Sequence, residues 1–153
     1  MKIKYFLIVI LFSFVSCSDK KEKKKNSTPN IQGTWKLISS EIIENGKSRF
    51  TPFSGEQKMI KIINATHFAF LKHSLNPKDT NSFDAGGGYY TLNQQDYIEH
   101  LDYYKDKKWE SKIFKFKISL SKDTLIQKGV EKVEEANIDR VIIEKYIRAK
   151  PYQ

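Results

Sequence analysis

The alternation in residues 111–120, SKIFKFKISL, constrains the fold of this chain more than any other feature. Phe114, Phe116, Ile118 and Leu120 stand at every second position, with lysine or serine between them. Successive side chains in a β-strand point to opposite faces of the sheet. This period of two therefore predicts a strand with an apolar face toward a core and a polar face toward solvent.

Short apolar-rich runs of this kind recur through the chain and alternate with turn residues, which is typical of an all-β domain. The runs cover residues 32–43, 57–63, 66–73, 87–93, 96–104, 111–120, 123–130 and 139–150. Asn45-Gly46 predicts a tight hairpin, because both residues tolerate positive φ. The last run could form a helix, but its β-branched residues favour a closing strand.

Eight or nine consecutive strands with mostly tight connections predict an up-and-down antiparallel β-barrel. An open sheet of this length would expose two edges, and closure removes them. A two-sheet β-sandwich is the alternative, which strand patterns alone do not separate from a barrel. Residues 74–86 are the one long polar loop.

The first 16 residues have the organisation of a signal peptide. Two lysines precede an apolar run from Tyr5 to Val15, and Ser16 follows as a small residue before a cleavage point. A membrane-spanning helix would need about 20 apolar residues. Cys17 is the only cysteine, so no disulfide can form within the chain.

Residues 17–30 continue with a polar, lysine-rich segment that predicts a disordered tether, and residues 31–153 are the predicted barrel domain. The tether lysines could contact anionic lipid headgroups or act as a simple spacer. The formal net charge is +9, but no nucleic-acid motif accompanies it. We therefore read the charge as a solvated surface and expect no nucleic-acid partner.

The sequence FVSC, residues 14–17, resembles the lipobox of Gram-negative bacterial lipoproteins, with Phe14 where leucine is usual. The resemblance implies cleavage before Cys17 and acylation of its thiol, which would anchor the protein to a membrane of the cell envelope. We expect the outer membrane, and the sequence leaves open which leaflet holds the anchor and whether the barrel faces the periplasm. The alternative for Cys17 is a free reactive thiol.

Gly33-Thr34-Trp35, in IQGTWKLISSE, resembles the Gly-x-Trp opening of lipocalin-like barrels. Residues 31–150 as a whole resemble the lipocalin-like domains of unknown function found in bacterial lipoproteins. The resemblance implies a calycin-type barrel in which Trp35 lies at the closed end against a basic residue of the last strand. Arg148 is the candidate for that residue. Such a resemblance does not imply a ligand.

Three consecutive glycines, 86–88, first suggest a phosphate-binding loop. Such a loop should open a helix, whose N-terminus meets the anion, whereas these glycines lead into the strand YYTLN. We therefore reject nucleotide binding. Glycines at this place predict a bulge or a tight barrel corner, where a side chain would collide with its surroundings.

In the strand that follows, Tyr97, Glu99, Leu101 and Tyr103 share the face better suited to a barrel lumen. An inward Glu99 requires a partner, because a buried carboxylate is costly alone, and we expect Tyr hydroxyl or Arg guanidinium donors. The lumen could be a ligand cavity or a filled core. The candidates to line a cavity are Trp35, Phe68, Phe70, Tyr90, Tyr97, Glu99, Tyr103 and Gln127.

Two functions remain open. The barrel could bind a small apolar or amphipathic molecule, or a filled barrel could contact an envelope protein or glycan through the 74–86 loop. We expect no enzymatic activity, cofactor or metal. His67, His73 and His100 form no ligand pattern, and no nucleophile, base and orienting group are recognisable. Glu99 and His100 are adjacent, so they point to opposite faces of a strand.

Overall fold

The computed structural model describes residues 27–79 and 81–150. The predicted signal peptide, Cys17 and most of the predicted tether lie outside the described residues, as do Thr80 and residues 151–153.

Nine strands and one short 3-10 turn make up the described chain. The strands are β1 (Gly33–Glu44), β2 (Lys47–Pro52), β3 (Gln57–Ile63), β4 (His67–Ser74), β5 (Asp84–Asn93), β6 (Asp96–Tyr104), β7 (Lys112–Ser121), β8 (Thr124–Val133) and β9 (Ile138–Arg148). The 3-10 turn, Glu134–Ala136, separates β8 from β9. None of these described segments is a helix with the length and apolar character needed to cross a membrane.

The strands form a closed antiparallel barrel. From β3 to β9 each strand pairs with the next, and β1 closes the ring by pairing with both β3 and β9. Strand β2 pairs only with the second half of β1 and extends the sheet beyond this ring of eight. The predicted up-and-down barrel is confirmed, and the sandwich is excluded. Every ring strand therefore has two neighbours, and the buried core lies among them.

The strand boundaries follow the sequence pattern closely. The closing segment is a strand, β9, as its β-branched residues predicted. Asn45 and Gly46 have φ angles of 50° and 72°, which confirms the hairpin turn. Strand β5 begins at Asp84 rather than at residue 87, so the long loop is shorter than predicted and spans 75–83.

The glycines at 86–88 accommodate a β-bulge, as predicted. Gly88 pairs with Leu101 and Gly87 pairs with Tyr103, so Asp102 is an extra residue in β6. A Cβ atom on Gly88 would lie 1.8 Å from the carbonyl oxygen of His100. No side chain fits there, and glycine allows the two strands to approach at the bulge.

The bulge reverses the alternation of side chains in the last part of β6. Tyr97, Glu99 and Leu101 are buried inside the barrel, but Tyr103 is 70% exposed. Tyr104 takes the inward position instead and packs against the core. The prediction that Tyr103 shares the inner face is therefore wrong, because the extra residue shifts the period of two by one position.

The closed end of the barrel is built around Trp35, which is completely buried. The Cζ atom of Arg148 lies 4.2 Å from the centroid of the indole ring, and its Nη1 donates a hydrogen bond to the carbonyl of Gln32 at 2.8 Å. Gly33 has φ of 136°, and a Cβ atom there would lie 2.5 Å from Nη1 of Arg148. The expected contact between Trp35 and Arg148 is present, and Gly33 makes room for it.

Replacing Gly88 with alanine tests the bulge. Overpacking a well-packed site costs about 1–3 kcal/mol, and we expect Gly88→Ala to reach or exceed the upper end because the new methyl meets backbone. Gly55→Ala is the control, since a Cβ at Gly55 meets nothing within 4 Å. Urea unfolding of residues 18–153 measures both. Equal, small losses of stability in the two variants would refute the assignment of the bulge contact.

Candidate ligand cavity

The barrel encloses a cavity of about 310 Å³ that opens at the end opposite Trp35. Its lining combines apolar side chains with charged and amide groups. The lining residues are Leu37, Ser40, Ile42, Arg49, Phe53, Met59, Lys61, Phe70, Lys72, Asp84, Glu99, Leu101, Tyr104, Trp109, Phe114, Phe116, Gln127, Glu131, Arg140, Ile142 and Glu144.

Alternation along the strands arranges these side chains in layers. In β9, every second residue points inward, from Arg140 through Ile142, Glu144 and Tyr146 to Arg148 at the closed end. A polar layer lies directly above the closed-end core, and apolar and aromatic side chains lie above that layer. A ring of charged residues surrounds the mouth. We use "polar layer" for Lys61, Glu99, Gln127 and Glu144.

Lys61 is the centre of the polar layer and is 2% exposed. Its Nζ donates to Oε1 of Glu99 at 2.6 Å and to Oε1 of Gln127 at 3.0 Å. The same ammonium group lies 5.5–5.8 Å from the ring centroids of Phe68, Tyr97 and Tyr146. Hydrogen bonds and aromatic faces together replace the water that this charge loses on burial.

Glu99 is buried, and it has the partner that its burial requires. The expected donors were tyrosine hydroxyls or an arginine, whereas the donor is the ammonium group of Lys61. Strands β3 and β6 are not neighbours in the sheet, so this ion pair crosses the lumen. It ties opposite walls of the barrel together.

Glu144 is the second buried carboxylate of the polar layer, and Tyr146 donates a hydrogen bond to its Oε2 at 2.6 Å. Within the described chain, no cation forms an ion pair with it. Burial raises the pKa of Glu144, and the charge of Lys61 and the Tyr146 hydrogen bond oppose that rise. Burial and the neighbouring Glu144 carboxylate raise the pKa of Tyr146 well above its ordinary value.

Tyr97 lies beside the polar layer with its hydroxyl buried. Among the described residues this hydroxyl has no hydrogen-bond partner. Burial, followed by the charge of Glu99, raises the pKa of Tyr97 well above its ordinary value. The phenol therefore stays protonated at neutral pH and remains a donor that faces an acidic neighbourhood.

The mouth carries charges of both signs. Arg140 pairs with Glu131 at 2.6 Å, and Tyr104 donates to Asp84 at 3.1 Å. Burial and the Asp84 carboxylate raise the pKa of Tyr104 to about 12. Arg49 and Lys72 also line the mouth, and neither forms an ion pair with any described residue.

The structure separates the sequence candidates into three groups. Phe70, Glu99 and Gln127 line the cavity. Tyr103 is on the outer surface because of the bulge. The remaining candidates belong to the core at the closed end, below the cavity. Trp35, Phe68 and Tyr97 lie in this core, and Tyr90 packs against it.

Sequence reasoning missed Lys61 and Glu144. Strand β3 carries one lysine and two large apolar residues on each face, so its alternation does not reveal which lysine points inward. In β9, Glu144 lies between inward Ile142 and Tyr146, and this spacing could have found it once the segment was accepted as a strand.

None of the three histidines lines the cavity. His100 stacks on Tyr89 on the outer surface, with ring centroids 4.0 Å apart. His67 bonds the Thr66 hydroxyl through Nδ1. In the part of the chain that the structure describes, no three His, Cys, Asp or Glu side chains are grouped to hold a metal ion.

Comparisons of the chain with protein-family models, curated proteins and solved structures return no match. The barrel architecture is consistent with a lipocalin-like fold. A barrel fold by itself does not fix a function.

The Lys61–Glu99 pair can be tested by breaking and then replacing it. Lys61→Met leaves Glu99 buried without a partner, and we expect a loss of about 3–5 kcal/mol in the free energy of unfolding. The double variant Lys61→Met, Glu99→Leu should recover most of that loss, because apolar replacement of a buried pair is often close to neutral. Chemical denaturation of residues 18–153 measures both.

The matched control is Lys117→Met, which removes an ion pair with Asp96 on the outer surface. An exposed pair is worth about 0–1 kcal/mol, so this variant should stay near wild type. A similar loss in Lys61→Met and Lys117→Met would contradict the buried pair.

Glu144 should give stability a characteristic pH dependence. Its pKa is higher in the folded chain than the ordinary value of 4.5, so the folded state binds more protons than the unfolded state between these values. Its contribution to stability is therefore lost as pH rises from about 4.5 through the raised pKa. Glu144→Gln removes this effect and keeps an acceptor for Tyr146. The difference in melting temperature between the variant and wild type should therefore increase in the variant's favour from pH 4 to pH 8. A difference that stays constant over this range would contradict the assignment.

Proposed function

We propose that this protein is a lipid-anchored binding protein of the cell envelope whose lipocalin-like barrel holds a small amphipathic molecule. One observation carries the binding part of the proposal. The barrel is not packed to its top but leaves a cavity of about 310 Å³ above the polar layer. This volume is at the lower end of the range of about 300–1,000 Å³ for small-molecule sites.

The chemistry of the lining supports an amphipathic ligand. Apolar and aromatic side chains, including Leu101, Phe114 and Ile142, form the wall between two polar ends. A ligand with an apolar middle would bury surface against this wall, and polar groups at its ends would reach the polar layer and the mouth. Few, well-placed polar groups within an apolar lining are typical of specific small-molecule sites.

The lipid anchor is supported by the N-terminal sequence, through the signal-peptide pattern and the lipobox-like FVSC that ends at Cys17. The polar segment after Cys17 supplies a spacer between an acylated cysteine and the barrel. We propose binding without catalysis and without a cofactor, at the outer membrane.

A second candidate function, contact with an envelope protein or glycan, is favoured by exposed apolar side chains near the long loop. Phe83 is 59% exposed and Leu75 is 38% exposed at the two ends of the 75–83 loop. Exposed apolar side chains on a loop are typical of interaction sites.

Native mass spectrometry of the full-length protein, isolated from the envelope of its own host, tests the binding proposal. We expect a stoichiometric small molecule that is released by denaturation. Ser40→Phe should abolish it, because Ser40 lines the cavity and the larger ring would occupy that space. Ser119→Phe, on the exposed face of β7, is the control and should retain the molecule. A ligand-free mass for the wild-type chain would favour the interaction module instead.

The anchor is tested by Cys17→Ser in the full chain. We expect the wild-type chain to partition into detergent-rich phases and membranes, and the variant, which lacks an acylation site, to lose this partition. Globomycin should cause the unprocessed wild-type chain to accumulate. A Cys17→Ser chain that partitions like wild type, together with processing that globomycin leaves unchanged, would refute lipidation at Cys17.

A further inference from the structure

We propose that the inner end of the cavity binds the ammonium group of a small amphipathic amine, with Glu144 as its counter-ion. This inference rests on the cavity-binding function proposed above and names the chemical class of the ligand. It comes from the charges of the polar layer, the exposure of Glu144 to the cavity and the aromatic character of the wall.

The polar layer contains two carboxylates and a single cation. Lys61 is committed to Glu99 and Gln127 through its two hydrogen bonds. Among the described residues, Glu144 accepts a hydrogen bond from the hydroxyl of Tyr146 alone, and this donor is neutral. An ionised Glu144 therefore leaves the polar layer with one more negative than positive charge in a buried site, and a cationic ligand would compensate it.

The position of Glu144 allows such a ligand to reach it. The side chain lines the cavity, and its burial comes from the barrel walls rather than from a paired cation. Its Oε2 accepts the Tyr146 hydroxyl, and no described residue donates to its other carboxylate oxygen. An ammonium group has three donors, so it could bond this free oxygen and still reach neighbouring acceptors of the polar layer.

Aromatic rings around the inner half of the barrel also favour a cation. The structure already stabilises one ammonium group in this way, because Lys61 lies over the faces of three rings. Phe114 and Phe116 continue the aromatic lining above the polar layer. The faces of such rings attract cations and offer nothing to an anion.

A ligand with an anionic group at the inner end of the cavity is disfavoured. A carboxylate at the inner end would meet Glu99 and Glu144, and like charges at short range in a desolvated site repel strongly. Arg49 and Lys72 at the mouth are without ion-pair partners among the described residues, so a polar or anionic group fits the outer end. The ligand would therefore enter with its ammonium group first.

Binding should depend on pH through Glu144. The groups that face it are Lys61 from β3, Ser40 from β1, Tyr97 and Glu99 from β6, Gln127 and Glu131 from β8, and Tyr146 from β9. Burial raises the pKa of Glu144, so acid solutions protonate its carboxylate and remove the counter-ion. An alkylammonium ion keeps its charge across this range, and its affinity should therefore rise with pH.

The test is isothermal titration calorimetry of ligand-free residues 18–153 with three probes of equal chain length, namely hexylammonium, hexan-1-ol and hexanoate. We expect hexylammonium to bind at least tenfold more tightly than either of the others at pH 7.5, and to lose this advantage toward pH 4.5. Preferential binding of hexan-1-ol or hexanoate would overturn the inference but leave the cavity proposal standing. Binding of none of the probes would overturn both.

Variants locate the counter-ion. Glu144→Gln should weaken hexylammonium at least tenfold and leave hexan-1-ol within twofold of wild type. Glu134→Gln, an exposed residue outside the barrel, is the matched control and should change neither. If Glu144→Gln leaves hexylammonium binding unchanged, the assignment to Glu144 is wrong. The comparison of probes on the wild-type chain remains decisive should the variant not fold.

Discussion

The buried ion pair between Lys61 and Glu99 is the contact on which the interior of this barrel depends. Each charge is costly to bury alone, and each is compensated only when β3 and β6 face one another across the lumen. The pair, with Gln127, therefore couples the closure of the barrel to the correct placement of its strands. It also prevents apolar packing from continuing upward from Trp35, and the space above it remains open as the cavity.

Backbone irregularities give this cavity its shape. The extra residue Asp102 turns Tyr103 outward and brings Tyr104 to the rim, where it packs against Trp109. A second register shift lies at Ile38 in β1, between its pairings of Leu37 and Ser39 with β9. Before this point β1 pairs with β3 on its other side, and after it β1 pairs with β2. Bulges of this kind increase local twist and redirect side chains, and here they place Tyr104 rather than Tyr103 on the inner face.

The strands, the hairpin turn and the closing role of β9 could be predicted because alternation and turn residues are local signals. The inner residues were harder to predict. Tyr103 was misplaced because one inserted residue inverts the alternation, and only the facing strand shows where the insertion lies. Lys61 was overlooked because each face of β3 carries one lysine and two large apolar residues. Its pairing with Glu99 joins residues from non-adjacent strands, which no local pattern reports.

The place where the N-terminal segment joins the barrel bears on how a ligand would reach the cavity. Ile31 is buried beside Trp35, and Thr28 accepts a hydrogen bond from Gln94 at the β5–β6 turn, so the N-terminal segment joins the barrel at its closed end. Under the proposed anchoring through Cys17, the anchor would connect to the closed end of the barrel, opposite the mouth of the cavity. A ligand of the proposed cavity would then enter from the side of the barrel that lies farthest from the anchored segment.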